Sequence, residues 1–329
     1  MTLPVALDAM GGDRAPAEIV LGALDAVAEG LPVVLVGPAD GSLGDVGGLE
    51  ILPASEVISM EDDAARSVRT KKDSSLVRAA EAVRDGRASA MVSAGNTGAA
   101  MASALLRMGR LPGVSRPCIA TPLPVPGGTP TVLVDAGANA DCQADWLVQF
   151  AQMGAAFYRE RFSAPLPRVA ILSIGEESSK GNQLVKETHK LLAAGALGSV
   201  GEFVGNVEGR DLLVGSVDVI VTDGFTGNVA LKALEGAMGA FMSVLGEVFA
   251  ASDANKAASE VLLPELLAHA AALDPEATGG AMLLGLDGVC IISHGSSSRR
   301  AILNAIREGH ELSSRDLQGK VAGAIRETA

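Results

Sequence analysis

The chain has 329 residues, of which 48% are hydrophobic, 20% charged and only 3% aromatic. That length suits one large α/β domain or two lobes, and that balance excludes disorder and leaves the core to Ala, Val, Leu, Ile and Met. A formal net charge of −13 excludes the broad basic surface that non-specific nucleic-acid binding requires.

Met1 to Asp13 carries no basic residue before Arg14, so the start does not read as a secretory signal. Apolar runs at Pro4–Asp8, Pro32–Val36, Ala90–Ser93, Val132–Asp135, Val169–Ser173, Val217–Thr222 and Val289–Ile292 are mostly continuous rather than alternating. Continuous runs predict parallel strands covered on both faces. Periodic segments at Ala17–Glu29, Ser75–Arg84, Asp145–Arg161 and Gln183–Gly195 predict helices between them. Strand followed by helix, repeated, predicts a doubly wound, mostly parallel α/β sheet. The uncharged stretch Ala88–Leu106 is 19 residues long, but its Gly, Ser, Asn and Thr content reads as strand, loop and buried helix in a soluble protein.

Six prolines between Leu111 and Pro130 mark a hinge, with lobes expected at 1–112 plus 285–329 and at 113–284. A helical zone from Asn228 to about Asp274 interrupts the alternation, with a projection expected at about 229–275. Met238, Phe241, Met242, Leu245, Val248 and Phe249 form an i, i+3, i+4, i+7 stripe there, and a second helix is expected over Val261–Leu273. No Lys or Arg lies between Lys232 and Lys256, so attraction to anionic lipid is weak and the stripe reads first as dimer packing. Cys118, Cys142 and Cys290 lie far apart, which fits a reducing cytoplasm and excludes a disulfide framework or a Cys-rich zinc site.

Open α/β sheets bind ligands at the carboxyl ends of their strands, where glycines admit an anion and helix N-termini aim free N–H groups at it. Five polar turns fall at such places. They are Asp8–Asp13, Ser93–Gly98, Gly175–Asn182, Asp223–Asn228 and His294–Ser298. Together they predict one oxyanion- or phosphate-binding cleft. Asn96, Thr97, Gly98, Lys180, Asn182, Thr226, Gly227, Asn228, His294 and Ser296 are the candidate contacts, with Lys180 as the fixed positive charge. Asp8, Asp13, Asp135 and Asp223 are expected to orient donors or cap helices. No GxGxxG follows the first strand; Lys180 precedes Gly181 where a P-loop lysine would follow it; HExxH and GxSxG are absent.

In sequence order, Val5–Asp13 with Pro16, Lys71–Ser75, Ser93–Gly98, Asp135–Asn139, Lys180–Asn182, Gly205–Asp211, Asp223–Asn228 and His294–Ser297 resemble the bacterial phosphate acyltransferases, the acyl-carrier-protein:phosphate transacylases of phospholipid synthesis. The resemblance implies an α/β/α sandwich of the isopropylmalate dehydrogenase and phosphotransacetylase type. It also implies a homodimer without metal or cofactor, and peripheral contact with the cytoplasmic membrane. Inorganic phosphate would be the nucleophile, and a membrane glycerol-3-phosphate acyltransferase would consume the product. Acyl carrier protein is acidic, so a local basic dock is expected. Arg66, Arg69, Lys71, Lys72, Arg78, Arg84 and Arg87 supply one against Asp73, Glu81 and Asp85. A phosphate acetyltransferase using acetyl-coenzyme A and a silent scaffold of lipid enzymes remain as alternatives. An isopropylmalate-type dehydrogenase lacks its paired aspartates here.

Overall fold

A computed structural model describes residues 2–272 and 275–326. Leu273 and Asp274, at the end of the expected projection, lie outside them. In chain order the first half contains β1 (Val5–Asp8), α1 (Ala17–Ala28), β2 (Val33–Gly37), β3 (Ile51–Pro53), α2 (Ala64–Thr70), α3 (Ser75–Arg84), β4 (Ala90–Ser93) and α4 (Thr97–Arg107). β5 (Cys118–Leu123), β6 (Thr131–Val134), α5 (Ala144–Phe162), β7 (Arg168–Leu172), α6 (Gln183–Leu191), β8 (Glu202–Val207) and β9 (Val219–Val221) follow. Then come α7 (Gly224–Ala250), α8 (Asp253–Ala272), β10 (Ala281–Leu284), β11 (Val289–Ile292), α9 (Arg299–Ser314) and α10 (Leu317–Arg326).

All strands join one sheet of 11 strands in the order β3-β2-β1-β4-β11-β10-β5-β6-β9-β7-β8. β1, β4 and β6 are buried at every position, as their unbroken apolar runs require. One face is covered by α1, α5, α9 and α10, the other by α3, α4 and the first turns of α7 through Leu231 and Leu234. With few aromatics available, the largest fully buried side chains concentrate on α5, where Phe150, Met153 and Phe157 sit with Leu147.

The seven expected strands and four expected helices form, with ends shifted by a few residues. β3, β5, β8 and β10 are additional. β5 runs through the proline-rich passage, so that passage is not a free linker. Pro122 is tolerated because it lies opposite Val132 of β6 and beyond Ala120, where pairing with β10 ends. The helical zone is two helices broken near Ser252, and α7 begins at Gly224, ahead of the expected start.

Strand direction is the feature that positions the turns. β3, β2, β1, β4 and β11 are parallel. β10 is antiparallel to β11 and to β5, and β5 is antiparallel to β6. β6, β9, β7 and β8 are again parallel to one another. Three reversals leave the two halves running in opposite senses.

Candidate active site

The turns after β1, β4 and β11 share the first edge of the sheet. Asp8 is buried and accepts from Ser93 Oγ at 2.7 Å and from Met10 N at 3.2 Å. Burial pushes its carboxyl above the usual range, against the hydrogen bonds from Ser75 and Ser93. A Cβ on Gly11 would stand 2.4 Å from Asp8 Oδ2 and 2.7 Å from Gly95 N, so only glycine lets these turns close on each other. Asp13 N donates to Gly295 O at 2.8 Å, tying the first turn to the last. Asn96 caps α4 by accepting from Ala99 N at 3.0 Å, and its Nδ2 donates to Met60 O at 2.9 Å. Its side chain is therefore committed to the fold. Thr97, His294 and Ser296 are exposed, with His294 Nδ1 2.8 Å from Ser296 Oγ. The N-terminus of α9 is already occupied, because Glu18 accepts from Arg299 N and Glu276 from Ser298 N.

The turns after β6, β9 and β7 share the opposite edge. Asp135 has no exposed surface and accepts from Ile119 N, Gly137 N and Ala138 N on one oxygen. Its other oxygen accepts from Asn139 N and Nδ2, both at 2.8 Å. Asp223 caps α7 through Thr226 N at 2.8 Å and Thr226 Oγ1 at 2.9 Å. The first turn of α7 lies so close to β6 that a Cβ on Gly227 would stand 2.0 Å from Asp135 O. Asn182 caps α6 by accepting from Val185 N at 2.9 Å, after Gly181 in the left-handed region at φ +97°. Three helices, α5, α6 and α7, thus begin at this edge; the α7 N-terminus is capped by the Asp223 carboxylate and that of α6 by the neutral Asn182 amide.

Lys180 is exposed at the same edge and has no acidic partner among the described residues. Its neighbour Glu176 is taken by Arg210 at 3.1 Å. Asn206, on β8, was not among the expected contacts. It is buried and donates to Glu177 O at 2.9 Å while its Oδ1 meets His189 Nδ1 at 2.9 Å. It holds the Lys180 turn in shape. Its place in the Gly205–Asp211 segment was the available signal.

The single cleft expected from the five turns is not what one chain builds. Asn96, Thr97, Gly98, His294 and Ser296, with Asp8 and Asp13, lie at one edge; Lys180, Asn182, Thr226, Gly227 and Asn228, with Asp135 and Asp223, lie at the other. The reversal at β10, β5 and β6 is the reason. Asp8, Asp135 and Asp223 orient donors or cap, as their environments require.

None of the three cysteines is poised as a nucleophile. Burial raises the Cys142 thiol to about 11 and Cys290 to about 12, and lifts Cys118 as well. A protonated thiol is a poor nucleophile. Among the described residues no cluster of His, Cys, Asp or Glu could hold a metal ion. A hollow of about 360 Å³ lies elsewhere, at the amino ends of β7 and β9, lined by Tyr158, Phe162, Arg168 and Asp218 among others. Arg168 is consumed there by Asp218 at 2.9 Å and by the carbonyls of Gly215 and Ser216.

The basic segment is partly neutralised within the fold. Lys71 Nζ donates to Val57 O at 2.8 Å and to Asp62 at 2.6 Å. Arg78 pairs with Asp73 and Glu81. The Asp73 carboxyl is held down at about 2, by the Ser55 hydroxyl first and by Arg78 second. Arg84 and Arg87 share Asp85. Arg66, Arg69 and Lys72 remain exposed without an acidic partner among the described residues.

Residues 3–320 match the family model described as fatty acid synthesis protein. A phosphate acyltransferase of Pelotomaculum thermopropionicum is 48% identical, over 94% of this chain and 91% of its own. One from Geobacillus sp. is 42% identical over 99% of both chains. The fold is similar to a phosphotransacetylase from Streptococcus pyogenes, at TM-score 0.64 and 17% identity over 96% of this chain and 95% of that one. It is also similar to a branched-chain phosphotransacylase from Enterococcus faecalis, at TM-score 0.60 and 13% identity over 94% and 99%.

Proposed function

Because the chain belongs to the fatty acid synthesis protein family, whose relatives are phosphate acyltransferases, and is itself an acyltransferase, we propose that it moves an acyl group from acyl carrier protein to inorganic phosphate. The observation that carries this reading is the edge holding Lys180, Asn182, Thr226 and Asn228. It places an exposed lysine, without an ion-pair partner among the described residues, beside the α6 N-terminus that the neutral Asn182 caps, with no thiolate to form a covalent intermediate. Phosphate needs no such intermediate, since it is a nucleophile at neutral pH.

A phosphate oxygen attacks the thioester carbonyl, and the tetrahedral oxyanion collapses with loss of the carrier thiolate. The proton of monohydrogen phosphate passes to that sulfur, so the products are acyl phosphate and free carrier thiol. Lys180 and the α6 N-terminus fix the phosphate, and positioning of this kind supplies roughly 7–11 kcal/mol of barrier lowering. A donor aimed at the oxyanion contributes about 3–4 kcal/mol.

The deciding assay is phosphate-dependent thiol release from acyl carrier protein thioesters against acetyl-coenzyme A. Preference for the carrier thioester is expected. Preference for acetyl-coenzyme A would make the chain a phosphate acetyltransferase, and no turnover with either would leave the scaffold reading.

Carrier docking falls to the exposed cations of α2 and its end. Arg66→Glu with Arg69→Glu is expected to raise KM for acyl carrier protein on the order of tenfold and to leave KM for phosphate unchanged. Equal changes in both would remove this dock. α7 is long and apolar enough to cross a membrane. Its first turns are pinned in the fold by Gly224, Gly227, Leu231 and Leu234, so we read α7 and α8 as a projection. It serves dimer packing and peripheral contact on the cytoplasmic face, where a membrane glycerol-3-phosphate acyltransferase would take the product.

A further inference from the structure

Lys180 rests on the backbone of Gly175 and Glu177. Its N–H donates to Glu177 O at 2.9 Å, and its stem lies over Gly175, where an added Cβ would come 2.8 Å from Lys180 Cγ. Asn206 Nδ2 donates to the same Glu177 O at 2.9 Å and stands 3.5 Å from Gly175 O. From the end of β8 this buried amide thus holds both supports of the lysine. On the outer side Arg210 pairs with Glu176 at 3.1 Å, but both side chains are exposed and such a pair holds little.

The other end of the amide is fixed by His189 of α6, whose Nδ1 lies 2.9 Å from Asn206 Oδ1. Turning the amide over would set its oxygen against the carbonyls of Gly175 and Glu177, so Nδ2 faces them and the imidazole must be the donor to Oδ1. The proton of the neutral ring therefore sits on Nδ1. Phe203 of β8 holds the ring at this angle, edge to face, with 5.1 Å between centroids and 78° between planes. A continuous line of contacts thus runs from α6 through β8 to the lysine, and none of its members is an acid or a base that the reaction uses.

We propose that His189 is a positioning residue for the reaction: through Asn206 it sets the Gly175–Lys180 turn, and with it the place of the Lys180 ammonium at the α6 N-terminus. This rests on the phosphate acyltransferase reading. His189 touches no substrate; it acts by where it leaves the lysine, and a misplacement of about 1 Å can cost about 100-fold in rate.

Two substitutions separate the donor from the ring. His189→Phe keeps an aromatic ring against Phe203 and removes the donor, whereas His189→Asn puts a donor back near the Nδ1 position. In phosphate-dependent thiol release, His189→Phe is expected to lower kcat/KM for phosphate about tenfold and to leave KM for the acyl carrier protein thioester as in the parent. His189→Asn should recover most of that loss. In a Lys180→Ala chain the same His189→Phe change should cost no more than about twofold, because two residues that act through one group are not additive. Nitrogen NMR of the labelled parent should show the His189 proton on Nδ1. A loss that persists in full in the Lys180→Ala chain, an equal rise in both KM values, or a proton on Nε2 alone would overturn the proposal. So would a His189→Phe chain that melts earlier yet keeps the parent's kcat/KM, the behaviour of a histidine that serves packing only. His189→Leu repeats the series should His189→Phe fail to fold. A parent that releases no thiol with phosphate defeats the acyltransferase reading itself, and the proposal falls with it.

Discussion

Lys180→Ala should lower kcat/KM for phosphate by about 100-fold or more with the melting temperature unchanged. The stability half of that expectation follows from exposure. The lysine side chain crosses open solvent, and what holds its turn is the bond from its own N–H to Glu177 O and the brace from Asn206. The catalytic half follows from charge. Glu176 pairs with Arg210, and Lys180 itself has no ion-pair partner among the described residues, so its charge stands at the α6 N-terminus. A preorganised charge or donor at such a place is worth about 3–4 kcal/mol, or two to three powers of ten in rate. Lys180→Arg should recover part of the loss, and raising the salt should weaken phosphate binding in the parent more than in the alanine variant. Initial rates over a phosphate series at fixed acyl carrier protein measure this. An unchanged kcat/KM would take Lys180 out of the site.

Glu308→Gln should change how stability depends on pH by about 3 kcal/mol. Glu308 sits on α9, fully buried, with Oε1 3.2 Å from Arg161 Nε of α5 and Oε2 without a hydrogen-bond partner. A Cβ on Gly279 would stand 2.1 Å from that oxygen, so the chain leading into β10 closes over the carboxyl. Burial is the main cause of a rise from 4.5 to about 7; Arg161 opposes it and Glu311 adds to it. A carboxyl with a raised folded value binds its proton more tightly in the native state. Its stabilising contribution is complete below 4.5 and is lost as pH climbs through about 7. Urea midpoints at pH 5 and pH 8 should therefore fall further for the parent than for Glu308→Gln. Parallel slopes in the two proteins would mean that Glu308 is ionised throughout.

The strands that sequence reveals best are those whose every side chain is buried. β4 and β11 were expected with the ends they have, because Ala90–Ser93 and Val289–Ile292 are unbroken apolar runs. β5 is hidden by Pro122 and the prolines that flank it, and β8 by Gly205 and Asn206, which break its apolar run after Phe203 and Val204. Glycine roles were legible in kind. Gly11 and Gly227 do allow backbone to approach backbone or carboxylate, although which atoms they approach depends on strands far apart in sequence. The gathering of all five turns into one cleft could not be read correctly, since periodicity carries no sign of strand direction. The reversals at β10, β5 and β6 decide that sign, and neither β10 nor β5 is among the expected strands. The basic segment shows the same limit: its charges were countable, but their internal partners were not.

β11 also has a bearing on how the protein comes off the ribosome. It inserts between β4 and β10, with Ala90 beside Val289, so the first half of the sheet acquires its last strand only after about 200 further residues have been made. Until then the backbone edge of β4 that pairs with β11 stays open. Contacts at such separation form slowly, and an unpaired strand edge is the usual seed of aggregation. Truncations that remove α9 and α10 along with β11 should therefore be recovered in inclusion bodies rather than as a smaller soluble domain.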